Sequence, residues 1–305
     1  MNQALLTELR ALGPVLLDEP LSRHTTMGIG GPADIYFAAR TEEHLRAALR
    51  AAHRHSIPML ILGAGSNVLV QDGGVRGLVI ENATDQVEGP IPNGGGFKVG
   101  AASGVSLAAL ARRLAFAGYA GLEWACGIPG TLGGAVVYNA AAYGCSVLEV
   151  LEGVRVVDPA NGILEMRPEE LALSYRNSAF TRSDMRGHVV LSVDLAVRKG
   201  DAAALRARVR ELDARRLAAQ PRGRNAGSMF KNPAERPAWQ AIDEAGLRGH
   251  RIGNAQISAQ HTNFILNLGG AKAADVLALM DLARSRVRER FGIELENEVA
   301  VVGEP

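Results

Sequence analysis

Residues 225 to 233 read Asn-Ala-Gly-Ser-Met-Phe-Lys-Asn-Pro and put an uncharged hydroxyl, an ammonium and an amide onto one tight turn. That set suits delivery of a proton beside an anionic substrate. Ser228 follows Gly227, where the backbone can approach a ligand closely, Lys231 and Asn232 offer donors, and Pro233 stiffens the exit. Alone, the segment reads equally well as a surface turn. Its company matters: glycine-rich segments lie upstream, and an acidic Leu-Glu-Asn-Glu-Val run lies downstream near the end of the chain.

Gly63-Ala64-Gly65-Ser66-Asn67 follows the apolar run Met59 to Leu62, which places successive amides and a hydroxyl at a strand end where an anion can bind. A diphosphate is the natural guest. The dinucleotide fingerprint needs a glycine or alanine where Val68 stands, and residues 69 to 74 read as strand and turn instead of helix, which disfavours a Rossmann site. Gly28-Ile29-Gly30-Gly31-Pro32-Ala33 matches the fingerprint's spacing but lacks a convincing strand before it. A third segment, Gly127-Ile128-Pro129-Gly130-Thr131, leads to the small polar run Tyr138-Asn139-Ala140-Ala141, which permits close packing around a flat, bulky ligand. Each segment alone can be an ordinary turn; three within about 120 residues argue for a ligand.

The elements that must position these groups fit a globular chain. At 305 residues and 47% hydrophobic content, two or three domains with substantial cores are affordable. A formal net charge of +1, with 33 basic and 32 acidic residues mixed along the chain, gives no footprint for nucleic acid or an anionic membrane. The opening lacks a signal-like basic and apolar pattern, and no window reaches the roughly 20 apolar residues of a membrane span, so a cytoplasmic protein is expected. Cys126 and Cys145 form no metal or disulfide pattern and read as buried thiols, and no metal is expected.

β-Branched runs at 34–38, 59–62, 78–81, 97–99, 154–157 and 189–197 predict strands. Two amphipathic helices lie among them, one capped by Thr41 with a stripe of Leu45, Ala48, Leu49 and Ala52, the other carrying Leu107, Leu110, Ala111 and Leu114. Beyond about residue 200 come a charged helix with Leu205, Val209 and Leu212, a short strand near 263–267, and a helix from Ala273 to about Arg290. The last has the stripe Val276, Leu277, Met280, Ala283 and Val287, a core face and not a cofactor site.

Taken together, the motifs Thr26 to Asp34, Gly63 to Val70, Gly127 to Thr131, Tyr175-Arg176-Asn177-Ser178, Gly227 to Pro233 and Glu296-Asn297-Glu298-Val299 resemble those of the UDP-N-acetylenolpyruvoylglucosamine reductase family in order and spacing, over nearly the whole chain. The first three resemble segments shared across a wider FAD superfamily of the vanillyl-alcohol-oxidase type. The resemblance implies an α+β protein with a two-part FAD-binding domain, residues 1–85 and 86–200, and a substrate-binding domain, residues 201–305. It implies FAD as cofactor and NADPH as reductant, with a UDP-sugar enolpyruvyl ether as substrate in bacterial wall synthesis. A monomer is expected, with oligomeric state left open.

By the same resemblance, residues 63–67, 127–131 and Asn139 bind the cofactor. Arg176 binds and polarises the substrate carboxylate, a task for an always-charged planar group. Glu298 helps stabilise the enolic form, Glu296 being a solvated neighbour, and Ser228 delivers a proton to C2. Tyr175, Lys231, Asn232 and His261 are the expected substrate contacts, although Tyr175 and His261 are equally readable as packing. Two departures from the family pattern, Ala300 and Ala141, touch no proposed role. The rival readings are an oxygen-using oxidase of the same superfamily and a non-catalytic flavin module.

Overall fold

The computed structural model describes residues 2–158, 160, 162–182, 185 and 187–305. The chain folds as two compact units. The first comprises Met1–Val15, Phe37–Ala64 and Ile80–Arg216; the second comprises Leu16–Tyr36, Gly65–Val79 and Leu217–Pro305.

The first unit is organised by an antiparallel sheet in the order Gly162–Met166, Leu151–Asp158, Val189–Lys199, Gly96–Ala102, Val87–Asn93, with Tyr119–Ala120 added to the end of the long Val189–Lys199 strand. That strand buries Val193, Leu195 and Val197 in alternation, the period-two pattern of a half-buried strand. Helices α1 (Gln3–Leu12), α2 (Glu42–Arg54), α3 (Leu107–Phe116) and the short α4 (Leu132–Val137) also belong to it, with most of α5 (Ala202–Ala219). Thr41 caps α2 by accepting from the His44 amide at 3.1 Å, and Leu45, Ala48, Leu49 and Ala52 are fully buried, as their spacing predicts. Leu110 and Ala111 of α3 and Val209 and Leu212 of α5 join the sheet's valines in one core. Asp201 holds the start of α5, its carboxylate accepting from Ala203 and Ala204 amides at 3.0 and 3.4 Å.

In the second unit, α6 (Ala238–Glu244) and α7 (Ala273–Phe291) share a core with Met229, Phe230 and Leu295. A three-stranded antiparallel sheet runs Arg251–Ile252, Ala255–Ile257, Ile265–Asn267, and Val68–Val70 pairs in parallel with Ala300–Val302. On α7 the buried stripe is Val276, Leu279, Met280, Ala283 and Val287; Leu277, expected in it, is only partly buried, because the core face is centred one position further round. The start of α7 is capped from far away in sequence, by Asp72 accepting from the Ala273 and Ala274 amides at 2.9 and 3.0 Å.

Candidate active site

In the second unit the Ser228 turn is one rung of a ladder. Asn225 Oδ1 accepts from the Gly227 amide at 2.9 Å and starts the turn, after which Ser228 bridges Phe264 in antiparallel register. The Met229 amide donates to Asn263 O at 2.8 Å, while the buried Asn263 side chain accepts from the Phe230 amide at 3.0 Å and donates to Phe230 O at 2.8 Å. On the other side Phe230 bridges Asn297, the Lys231 amide donates to Glu296 O at 2.9 Å, and the Glu298 amide donates to Met229 O at 2.8 Å. Three segments distant in sequence thus hold Ser228, Lys231 and Glu298 on adjoining stretches of backbone. Asn67 Nδ2 donates to Glu298 O at 3.1 Å, tying Glu-Asn-Glu to the end of the Gly65-Ser66-Asn67 stretch.

The expected substrate contacts in this unit have partners of their own. Lys231 Nζ lies 3.2 Å from Glu296 Oε2, a carboxylate that is 75% exposed; such a pair is worth little in water and leaves the ammonium able to exchange partners. Asn232 Oδ1 accepts from the Ala238 amide at 3.0 Å and holds the start of α6. The His261 ring packs edge-on to Phe264 at 4.8 Å between centroids and 6.1 Å from Trp239. Its Nδ1 is buried with no hydrogen-bond partner among the described residues, and burial pushes the imidazole below its ordinary value, which favours the neutral ring.

In the first unit, Tyr175 and Arg176 form the tip of a tight turn closed by reciprocal bonds, Ser174 N to Asn177 O at 3.0 Å and Asn177 N to Ser174 O at 3.2 Å. Arg176 has φ +52°, a conformation that costs a residue with a side chain about 1–2 kcal/mol. Its guanidinium lies 5.8 Å from the centre of the exposed Tyr175 ring. Asn139, expected at the cofactor, also braces this turn, its Nδ2 donating to Ser174 O at 3.2 Å, while its Oδ1 accepts from the Leu148 amide at 3.3 Å. Ser178, fully buried, donates to Val137 O at 2.6 Å and accepts from the Phe180 amide at 3.2 Å.

The glycine segments fit a ligand that needs bare backbone. Gly63 approaches Thr131 so closely that a Cβ on it would stand 2.6 Å from the Thr131 Oγ1, so the strand-end loop packs directly onto the Thr131 side chain of the Gly127–Thr131 loop. Thr131 caps α4, and the Leu107 amide donates to Gly130 O at 3.1 Å, which fixes the loop against α3. Gly65, at φ +60°, is equally enclosed, its missing Cβ 2.1 Å from His24 O in the second unit. Thr26 pins it, donating from its amide to Gly65 O at 3.0 Å and from its hydroxyl to Asn225 O at 2.7 Å. Surfaces of this kind suit a diphosphate and its flanking rings.

Asn263, Thr26, Ser178 and Asp72 escaped the sequence reading as supports. The usable signal was a polar residue inside an apolar run, as in Thr262-Asn263-Phe264-Ile265. Cys126 is buried as expected, whereas Cys145 is only partly so; both are free thiols. No helix among the described residues is long and apolar enough to cross a membrane, and none of their His, Cys, Asp and Glu side chains cluster in threes as metal ligands.

Residues 33–167 match the model of an FAD binding domain, which with the enclosed glycine loops defines an FAD-dependent oxidoreductase class of α+β protein. Residues 219–302 match the UDP-N-acetylenolpyruvoylglucosamine reductase C-terminal domain. A relative of that reductase name from Rubrobacter xylanophilus is 44% identical over 94% of this chain and 95% of its own length, and one from Lachnoclostridium phytofermentans is 39% identical over 100% and 99%. The solved structure of UDP-N-acetylenolpyruvylglucosamine reductase from Thermus caldophilus superposes with a TM-score of 0.77 at 36% identity, covering 95% of this chain and 98% of that one. The chain belongs to the UDP-N-acetylenolpyruvoylglucosamine reductase family.

Proposed function

We propose that this chain reduces UDP-N-acetylglucosamine enolpyruvate to UDP-N-acetylmuramate, a step of peptidoglycan precursor synthesis, with FAD as cofactor and NADPH as reductant. FAD, when bound, takes electrons from NADPH and supplies hydride to C3 of the enolpyruvyl group. Residues 63–67, 127–131 and Asn139 bind it. Negative charge then gathers on C2 and the adjoining carboxylate. Arg176 binds that carboxylate through its planar, permanently charged fork, and Glu298 stabilises the enolic form. Ser228 gives the proton to C2; a serine hydroxyl is a weak acid, so its transfer requires neighbouring groups that stabilise the oxyanion left behind or return a proton to it. Lys231, Asn232, His261 and Tyr175 contact the sugar nucleotide.

Support comes chiefly from one observation: the ladder that sets Ser228 and Glu298 on backbone segments joined at Met229, with the Glu298 amide on Met229 O at 2.8 Å. A proton donor and a polarising acid are there held by backbone, as a transfer over hydrogen-bond distance requires. The matched stretches 33–167 and 219–302 support a division of labour in which residues 1–85 and 86–200 are the two parts of the cofactor domain and 201–305 the substrate domain. The same reading has the protein act in the cytoplasm, as a monomer, in growth and division of the cell wall.

The test is anaerobic. Mixing with NADPH should bleach the flavin absorbance, and a second mix with the enolpyruvyl sugar nucleotide should restore it. A flavin that stays reduced until oxygen enters would favour an oxidase instead.

A further inference from the structure

The apolar run Phe264-Ile265-Leu266 ends on a buried asparagine, Asn267, at the close of the three-stranded sheet. Both ends of its side-chain amide are fully used. Nδ2 donates to Met27 O at 2.9 Å and to Gly28 O at 3.3 Å, while Oδ1 accepts from the Gly269 and Ala271 amides at 2.8 and 3.1 Å. Its backbone amide donates to Arg224 O at 2.9 Å. The segment that the side chain grips is a closed turn, in which the Gly28 amide donates to Thr25 O at 3.1 Å and the Thr25 hydroxyl to Ile29 O at 2.9 Å. From that turn Thr26 reaches two ways, by its amide to Gly65 O and by its hydroxyl to Asn225 O. The bonds therefore close a ring within the second unit: Asn267 to Met27 and Gly28, Thr26 to Asn225, and Arg224 back to Asn267. Gly65 hangs on one side of the ring, and on the other Asn225 starts the Ser228 turn by accepting from the Gly227 amide at 2.9 Å. A separate tie, from Asn67 to Glu298 and from Glu298 to Met229, meets that turn from its far side.

We propose that Asn267 is a positioning residue for the reaction: through this ring it holds the Gly65 stretch and the Ser228 turn in one fixed register. It acts through Thr26 and Asn225, not on the substrate itself. The inference rests on the reading that residues 63–67 bind FAD and that Ser228 gives the proton to C2. Under that reading the hydride and the proton are delivered from two separate parts of the chain, and slack of about 1 Å between those parts can cost 10²-fold. Reduction of the flavin by NADPH takes no proton from Ser228 and does not feel that slack. Asparagine suits the place because it offers two donors to two carbonyls and one oxygen to two amides. An aspartate of the same shape keeps the acceptor but turns a carboxylate on the Met27 and Gly28 carbonyl oxygens, which opens the ring at that link.

The experiment is a double-mutant cycle on the two anaerobic half-reactions, with FAD saturating and at a temperature well below each variant's melting midpoint. Asn267→Asp opens the ring at one link and Thr26→Val at another. Each should slow reoxidation of the reduced flavin by the enolpyruvyl sugar nucleotide about tenfold, while reduction by NADPH stays within about twofold of wild type. Because one open link already frees the ring, the double variant should be at most about twofold slower than the slower single variant, far short of the roughly 100-fold product of independent effects. Should Asn267→Asp not fold, Asn267→Ser replaces it with the same expectation. Slowing that multiplies in the double variant, or that falls equally on both half-reactions, overturns the proposal. A lowered melting midpoint with both half-reactions at wild-type rates makes Asn267 structural only and also overturns it. Wild type whose reduced flavin the sugar nucleotide does not reoxidise, or Ser228→Ala reoxidised at the wild-type rate, is a separate failure, that of the functional reading beneath.

Discussion

Arg176 and Ser228 are held in opposite ways. Arg176 projects from the tip of a two-residue turn, in a left-handed backbone conformation, with its support coming from Asn139 and Ser178 behind the turn. Ser228 lies in a segment bonded on one side to Asn263 and Phe264 and on the other to Glu296 and Glu298. The contrast matches the tasks proposed for them. A full charge binding a carboxylate acts over several ångströms and tolerates some play. A proton donor must be within hydrogen-bond reach of one carbon, where a displacement of about 1 Å can cost 10²-fold.

Several substitutions can break or sharpen this contrast. Arg176→Ala should lower kcat/KM by a factor on the order of 10² to 10³, the scale of one preorganised charge-stabilising group. Arg176→Gly keeps the favoured backbone of the turn and still lacks the guanidinium; steady-state rates as low as those of Arg176→Ala would show that the charge, and not the turn's shape, is what the reaction uses. On the ladder side, Asn263→Ala strands the Phe230 amide and carbonyl and should cost about 2–3 kcal/mol of stability, read by denaturant titration. Asn139→Ala should loosen the turn without touching the charge, raising the KM for the sugar nucleotide by about tenfold or less, and should lower the melting temperature, since it strands Ser174 O and the Leu148 amide and puts an alanine at φ +41°.

The smallest effect is in pH. Burial holds the His261 imidazole below its ordinary value of 6.5, so the unfolded chain takes up more protons than the folded one as pH falls through that value. Stability should therefore be full above about pH 6.5, decline on acidification, and level off below the lowered folded value. His261→Phe, which keeps an aromatic ring between Trp239 and Phe264, should flatten the decline in melts run from pH 7.5 to 5.

Much of this was legible beforehand because it is local. Thr41 and the α2 stripe declare a capped amphipathic helix within about a dozen residues, and Met59 to Leu62 is a strand with the bounds its composition suggests. The motif residues were legible as chemistry by their types. Their supports were not, since Asn263 meets Phe230 across 33 residues, Asp72 caps α7 across 201, and Asn67 reaches Glu298 across 231. A side chain's hydrogen bond to distant backbone leaves no periodic trace. Asn139 is another such support: its Nδ2 reaches Ser174 O, 35 residues on.

The decisive measurement separates the two half-reactions of Ser228→Ala. With the flavin followed anaerobically, reduction by NADPH should proceed within about twofold of wild type while reoxidation by the enolpyruvyl sugar nucleotide slows by a factor on the order of 10² or more. Equal slowing of both halves, or reoxidation at the wild-type rate, would contradict Ser228 as the proton donor and with it the meaning given to the ladder.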